Sequence, residues 1–154
     1  MNDGTKAHTG RTHRGAKILL IDDSPDHCSL IQTVLQESIP DAHLLIASTQ
    51  EQAITQLKSC EEAKESLPRL ILLDLYFPLR DDGWQVLQLL KESTSPYRLI
   101  PVTVLSYSSQ PEDIQTSYDL GATSYIVKPG TFQQWIAYFQ ALRQYWWQTV
   151  SLPI

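Results

Sequence analysis

Three acids, one hydroxyl and one amine stand out because each follows directly on a short apolar run. Asp22 and Asp23 follow 18–21, Asp74 follows 70–73, Ser106 follows 100–105 and Lys128 follows 124–127. If those runs are neighbouring strands, the five side chains converge at one end of a sheet. Carboxylates gathered in this way repel one another and raise their own pKa values unless a cation neutralises them. A divalent metal is the simple remedy. The candidate ligands are all oxygens, which favours Mg2+ over zinc or copper, and Mg2+ commonly takes one or two carboxylates, keeps waters and binds phosphate. Lys128 offers a point charge to one phosphoryl oxygen and Ser106 a hydrogen bond to another. The set suits a carboxylate that accepts a phosphoryl group. Taken singly, Asp22 and Asp23 could be loop acids capping a helix, Lys128 a salt-bridge partner of Asp74, and Ser106 a helix-entry residue. Asp74, set between Leu73 and Leu75, is harder to explain away, because an acid at an apolar strand end is expensive unless paired or metal-bound.

Positioning such a set requires strands that end together. Short apolar runs at 18–21, 44–47, 70–73, 100–105 and 124–127 alternate with segments of helical period at 26–38, 50–64, 84–92, 111–120 and 132–148. That alternation marks an α/β fold with a five-stranded parallel sheet. Continuous apolar strands imply burial on both faces, so helices must cover both. The helices carry the matching stripes: Leu30, Ile31, Val34 and Leu35, then Ala53, Ile54 and Leu57, then Val86, Leu87 and Leu90. Ser24 before Pro25, Thr49, and Gln110 before Pro111 suit helix starts, and Gly121 suits a helix end. In open sheets of this kind ligands bind beyond the carboxyl ends of the strands, where the five polar residues fall.

Composition narrows the class. The 154 residues, 42% hydrophobic and 19% charged, fit one domain. Residues 1–16 read as a disordered basic tail with Lys6, Arg11 and Arg14, an electrostatic docking arm being the alternative. Residues 17–154 read as a single domain with an aromatic C-terminal extension. A net charge of −5 gives no general basic excess for nucleic acid. No run approaches the roughly 20 apolar residues that span a bilayer. The start of the chain lacks the hydrophobic stretch of a secretory signal, so the expected location is the cytoplasm. Cys28 and Cys60, in predicted helices and without metal-ligand spacing, are expected to be reduced.

In its motifs the chain resembles the response-regulator receiver family of two-component signalling. They are Ile18 to Asp23 (ILLIDD), Leu72 to Leu75 (LLDL), Pro78, Asp82-Gly83, and Gly121 to Pro129 (GATSYIVKP). Each alone is weak; five in order at strand ends are specific. The resemblance implies the doubly wound, flavodoxin-like (βα)5 receiver fold. It also implies phosphorylation of Asp74 by a sensor histidine kinase, with Asp22 and Asp23 holding Mg2+ directly or through water and the Tyr76 backbone carbonyl as a further ligand. Ser106 and Lys128 would contact the phosphoryl group, and Tyr125 would be the switch aromatic that moves inward on phosphorylation. The only catalysis implied is self-catalysed phosphoryl transfer and autodephosphorylation.

Some positions depart from that pattern. Gly83 falls one residue later than is common, implying a bulged loop after Asp74. Tyr107 replaces a small residue, and together with Tyr76 it is expected to narrow access to Asp74. Gly130 follows Lys128-Pro129. The ending, Tyr145 to Ile154 (YWWQTVSLPI), resembles that of small single-domain regulators paired with cyanobacterial phytochromes. This implies a phytochrome-type kinase partner and a homodimer through the fourth helix, fifth strand, fifth helix and the extension. The apolar side chains from Trp135 to Trp146 would serve that interface or fold back on the chain's own core. Two other functions compete: a phosphorylation-independent interaction module, and a Mg2+-dependent phosphohydrolase using Asp74 as nucleophile. The complete five-residue set argues against the first. Tyr76, standing where such a hydrolase needs an acid, argues against the second. No phosphate-loop or dinucleotide motif occurs, and no DNA-reading segment follows.

Overall fold

The computed structural model describes residues 16–63, 66–76 and 79–145. Its elements alternate as β1 (Lys17–Ile21), α1 (Pro25–Ser38), β2 (His43–Ala47), α2 (Gln50–Glu62), β3 (Leu70–Asp74), α3 (Arg80–Lys91), β4 (Val102–Ser106), α4 (Pro111–Asp119), β5 (Ser124–Val127) and α5 (Phe132–Arg143). The strands form one sheet in the order β2-β1-β3-β4-β5, with every neighbouring pair parallel.

Strand side chains alternate between two cores, as the period of two requires. Leu19, Ile21, Ile71, Leu73, Val102 and Val104 pack against Ala53 and Leu57 of α2 and Val86, Leu87 and Leu90 of α3. On the other face Ile18, Leu20, Leu70, Leu72 and Leu105 meet Ile31, Val34 and Leu35 of α1 and Trp135 and Phe139 of α5. The sheet is therefore doubly wound. Strand order reverses between β1 and β3, so the site opens beside the ends of those two strands.

Helix starts follow the expected caps. Ser24 Oγ accepts the amide of His27 at 3.3 Å and Thr49 Oγ1 that of Gln52 at 3.0 Å. Gly121 closes α4 at φ 110°, in the left-handed region that favours glycine. Cys28 and Cys60 are free, buried thiols. Among the described residues no helix is long and apolar enough to cross a membrane.

Besides shifts of one or two residues at other ends, three boundaries differ from expectation for a visible reason. Ala16, assigned from sequence to the tail, is buried, and its carbonyl accepts the amide of His43 at 2.8 Å, so β1 carries it into the fold. Residues 1–15 lie outside the described residues. Helix α3 begins at Arg80 rather than 84, because the Asp82 carboxylate accepts the Leu79 amide at 3.2 Å and Asp81 and Asp82 suit the positive end of the helix. Strand β4 begins at Val102, since the Ile100 amide turns back to the Tyr97 carbonyl at 3.1 Å. Residue 64 of the second predicted helix and 146–148 of the fifth lie outside the described residues, as does the rest of the extension.

Candidate functional site

Parallel strands of matched register deliver their ends to one edge, and the sequence places its polar residues there. Asp22 immediately follows β1, only 1% exposed, held by its amide to the Ala47 carbonyl at 3.0 Å and by Oδ1 accepting the Ser24 amide at 2.9 Å. Asp74 closes the central strand β3 at 6% exposure. Lys128 follows β5 at 8% exposure, its amide donating to the Ser106 carbonyl at 2.7 Å. The Lys128 ammonium reaches Asp74 Oδ1 at 3.3 Å. Burial pushes the Asp74 carboxyl up to about 6 against the pull of Lys128, and the neighbouring Asp22 charge adds to the rise.

Asp22 is buried and is not part of the lining, while Asp74 and Lys128 open on a cavity of about 550 Å3 that Asp23, Ser24, His27, Tyr76, Tyr107 and Ser108 also line. Asp23 is exposed on its wall. Ser106 is buried, its Oγ accepting the Ser108 amide at 3.0 Å. The Tyr125 hydroxyl donates to the Ser108 carbonyl at 2.8 Å, tying β5 to the loop that leaves Ser106. Of the two tyrosines expected to narrow the mouth, Tyr107 lies 4.8 Å over the Lys128 ammonium and reaches His27 Nε2 at 3.3 Å. Tyr76 lines the cavity, but its hydroxyl turns to Asp113 Oδ2 at 3.3 Å. Pro78 lies outside the described residues. A Cβ at Gly83 would overlap the Leu75 carbonyl, so only glycine lets α3 press against the residue after Asp74.

Two residues escaped the sequence reading. His27 brings Nδ1 to 3.0 Å from Lys128 Nζ and 3.5 Å from Asp22 Oδ2. Its only sequence signal is its place in the first turn after the acidic pair. Asp113, in the first turn of α4, is buried and receives Arg80 at 2.8 Å, the Ser108 hydroxyl at 2.5 Å and the Tyr76 hydroxyl. Burial works against its charge, yet the bonds from Ser108, Arg80 and Tyr76 hold its carboxyl below the ordinary value. That signal was an acid near a helix start, indistinguishable in sequence from a surface residue.

Comparison with known proteins identifies the family whose fold carries this buried pair of acids and lysine at the carboxyl end of the sheet. The family model for the response regulator receiver domain matches residues 18–140. The chain belongs to that family. The receiver is 36% identical to the response regulator Rcp1 of Synechocystis sp. over 137 residues, 88% of this chain and 92% of that one. It superposes on the phosphorylated cyanobacterial phytochrome response regulator RcpA with a TM-score of 0.77 at 34% identity, covering 91% and 99% of the two chains. Against the Mn2+-bound form of Rcp1 the TM-score is 0.72 at 33% identity, covering 90% and 99%. The receiver is thus a two-component signalling protein rather than a typical enzyme, with the acidic pocket where receivers hold a divalent cation.

Proposed function

We propose that Asp74 accepts a phosphoryl group from the phosphohistidine of a sensor histidine kinase, assisted by Mg2+. The observation that carries this reading is the buried Asp74 carboxylate at the end of the central strand, bonded to Lys128 and faced by buried Asp22. Two buried carboxylates beside one ammonium leave a net negative charge, and a divalent ion balances it. Asp74 would hold the ion with Asp22 and Asp23, directly or through water, and the Tyr76 carbonyl as a further ligand. When bound, the ion neutralises charge on the transferring group.

In the transfer an Asp74 Oδ forms a bond to phosphorus as the bond to the kinase histidine nitrogen breaks, and the imidazole leaves. Lys128 exchanges its contact with Asp74 for a phosphoryl oxygen. Ser106, released from the Ser108 amide, donates to a second. That exchange disturbs Ser108, whose carbonyl holds Tyr125, and so biases the β4–α4 loop and the face beside β5. Output is a protein contact made by that face.

The named relatives supply the context: RcpA is a phytochrome response regulator and a structure of Rcp1 holds Mn2+. A phytochrome-type kinase is the proposed donor and the cytoplasm the proposed location. A second copy of the receiver is the proposed partner of the β5–α5 face. The test is transfer of labelled phosphate from a phosphorylated kinase to wild type and Asp74→Asn with and without Mg2+. Label in wild type with Mg2+ alone is expected; equal label in Asp74→Asn overturns the assignment.

A further inference from the structure

His27 faces the acids of the site, yet the phosphoryl-acceptor reading gives it no role. Its Nδ1 lies 3.0 Å from Lys128 Nζ, and an ammonium has only hydrogens to offer, so Nδ1 is the acceptor. The ring proton is then on Nε2, which donates to the Tyr107 hydroxyl at 3.3 Å. This pattern assigns a neutral imidazole whose Nδ1 lone pair looks toward the carboxylates, held in that tautomer by a second partner as metal-binding histidines are. One donor atom from each of Asp22, His27 and Asp74 lies within 4.8 Å of the other two. Donors about 2.1 Å from a common ion stand roughly 3.0–3.6 Å apart, with only a trans pair reaching about 4.2 Å, so the cluster must draw together by about an ångström at its widest pair to share one. Asp23 is not among these three donors.

We infer that His27 Nδ1 is a protein ligand of the divalent ion held by Asp22 and Asp74, and that this nitrogen and oxygen set favours first-row transition ions over Mg2+. The inference rests on the acceptor reading above. Imidazole suits Zn2+, Ni2+ and related ions, whereas Mg2+ prefers oxygen. Lys128 is the placeholder. Its ammonium bridges His27 Nδ1 and Asp74 Oδ1, and a divalent charge at that point would repel it toward the phosphoryl position.

The experiment is calorimetric titration of the receiver with Co2+ and with Mg2+, together with electron spin-echo spectroscopy of the Mn2+-loaded protein. Wild type should show nitrogen modulation from one imidazole and His27→Ala should lack it. Loss of an outer-shell partner alone costs about 10–100-fold in metal affinity, so His27→Ala should weaken Co2+ by at least about tenfold. Its Mg2+ affinity should stay near wild type, so the Co2+ preference falls. Tyr107→Phe, which keeps the ring, should weaken Co2+ in the same direction by less, giving a second reading if His27→Ala folds poorly. Ion binding that needs Asp22 and Asp74 but shows no nitrogen modulation, or an equal loss of both ions in His27→Ala, overturns the role of His27 alone. Binding that survives Asp22→Asn with Asp74→Asn, or no binding by wild type, overturns the acidic metal site beneath it.

Discussion

Asp74 is the residue on which the chemistry and the stability of this receiver conflict. Its folded carboxyl titrates near 6, against 3.8 for the ordinary group, because burial disfavours the charge more than Lys128 favours it. A raised acid pKa means the folded state binds the proton more tightly than the unfolded chain. Stability from this group is therefore fully present below about pH 4 and lost as pH rises through about 6. At pH 7.5 without metal, Asp74→Asn should be more stable than wild type by on the order of 1–3 kcal/mol, and the difference should vanish near pH 4. Mg2+ should restore the balance by stabilising wild type and not the variant. Urea unfolding at the two pH values, with and without Mg2+, checks all three. A wild type more stable than Asp74→Asn in metal-free buffer at pH 7.5 would show that Lys128 outweighs burial.

The elements explain why that acid sits where it does. Helix α3 packs so closely on the end of β3 that a Cβ at Gly83 would strike the Leu75 carbonyl, backbone against backbone. Gly83→Ala should cost about 2–4 kcal/mol by denaturant unfolding. Leu75 is the next residue after Asp74, so the folded fraction should also take up less phosphate per mole than wild type. Unchanged stability would show that the chain gives way there at no expense. Helix α4 is held differently: its buried residues are Asp113 and Ser117, bonded to Arg80 and to the Trp84 indole, which makes its seat on α3 polar.

Legibility in the sequence follows the same division. The inner strands β1, β3 and β4 are buried on both faces and so almost wholly apolar. The half-exposed edge strands β2 and β5 still carry short apolar runs, so all five could be read. Their ends gave Asp22, Asp74 and Lys128. The start of α3 could not be read, because Asp81-Asp82-Gly83 is equally good loop chemistry and only the Leu79 amide, captured by Asp82, makes it a helix. His27 and Asp113 were hidden for a related reason. A polar residue in the first turn of a helix looks solvent-facing until the neighbouring strand end is in place.

For the whole molecule, the β5 edge of the sheet, one of its two outer edges among the described residues, is the one proposed to take a partner. Among the described residues β5 is an outer strand paired with β4 alone, and Val127 is exposed at its end. With Tyr138, Ala141, Leu142 and Tyr145 it lines a groove of about 510 Å3, mostly apolar and separate from the phosphoryl cavity. Tyr138 and Tyr145 are exposed beside it, while Trp135 and Phe139 of the same helix fill the core. Helix α5 thus has two apolar faces, and packing on its own sheet consumes one of them. A second copy of the receiver presenting the same face would bury the other, with a two-fold axis near β5. Replacing Tyr138 by Glu puts a charge into that contact without touching the core. Sedimentation velocity should find wild type dimeric and Tyr138→Glu shifted to monomer at the same concentration, with the melting temperature of the fold unchanged. A Tyr138→Glu protein that remains a dimer would move the interface elsewhere. Because Tyr125 stands in the same strand and is tied to Ser108, phosphorylation of wild type should shift its dimerisation constant, and Tyr125→Ala should remove that shift.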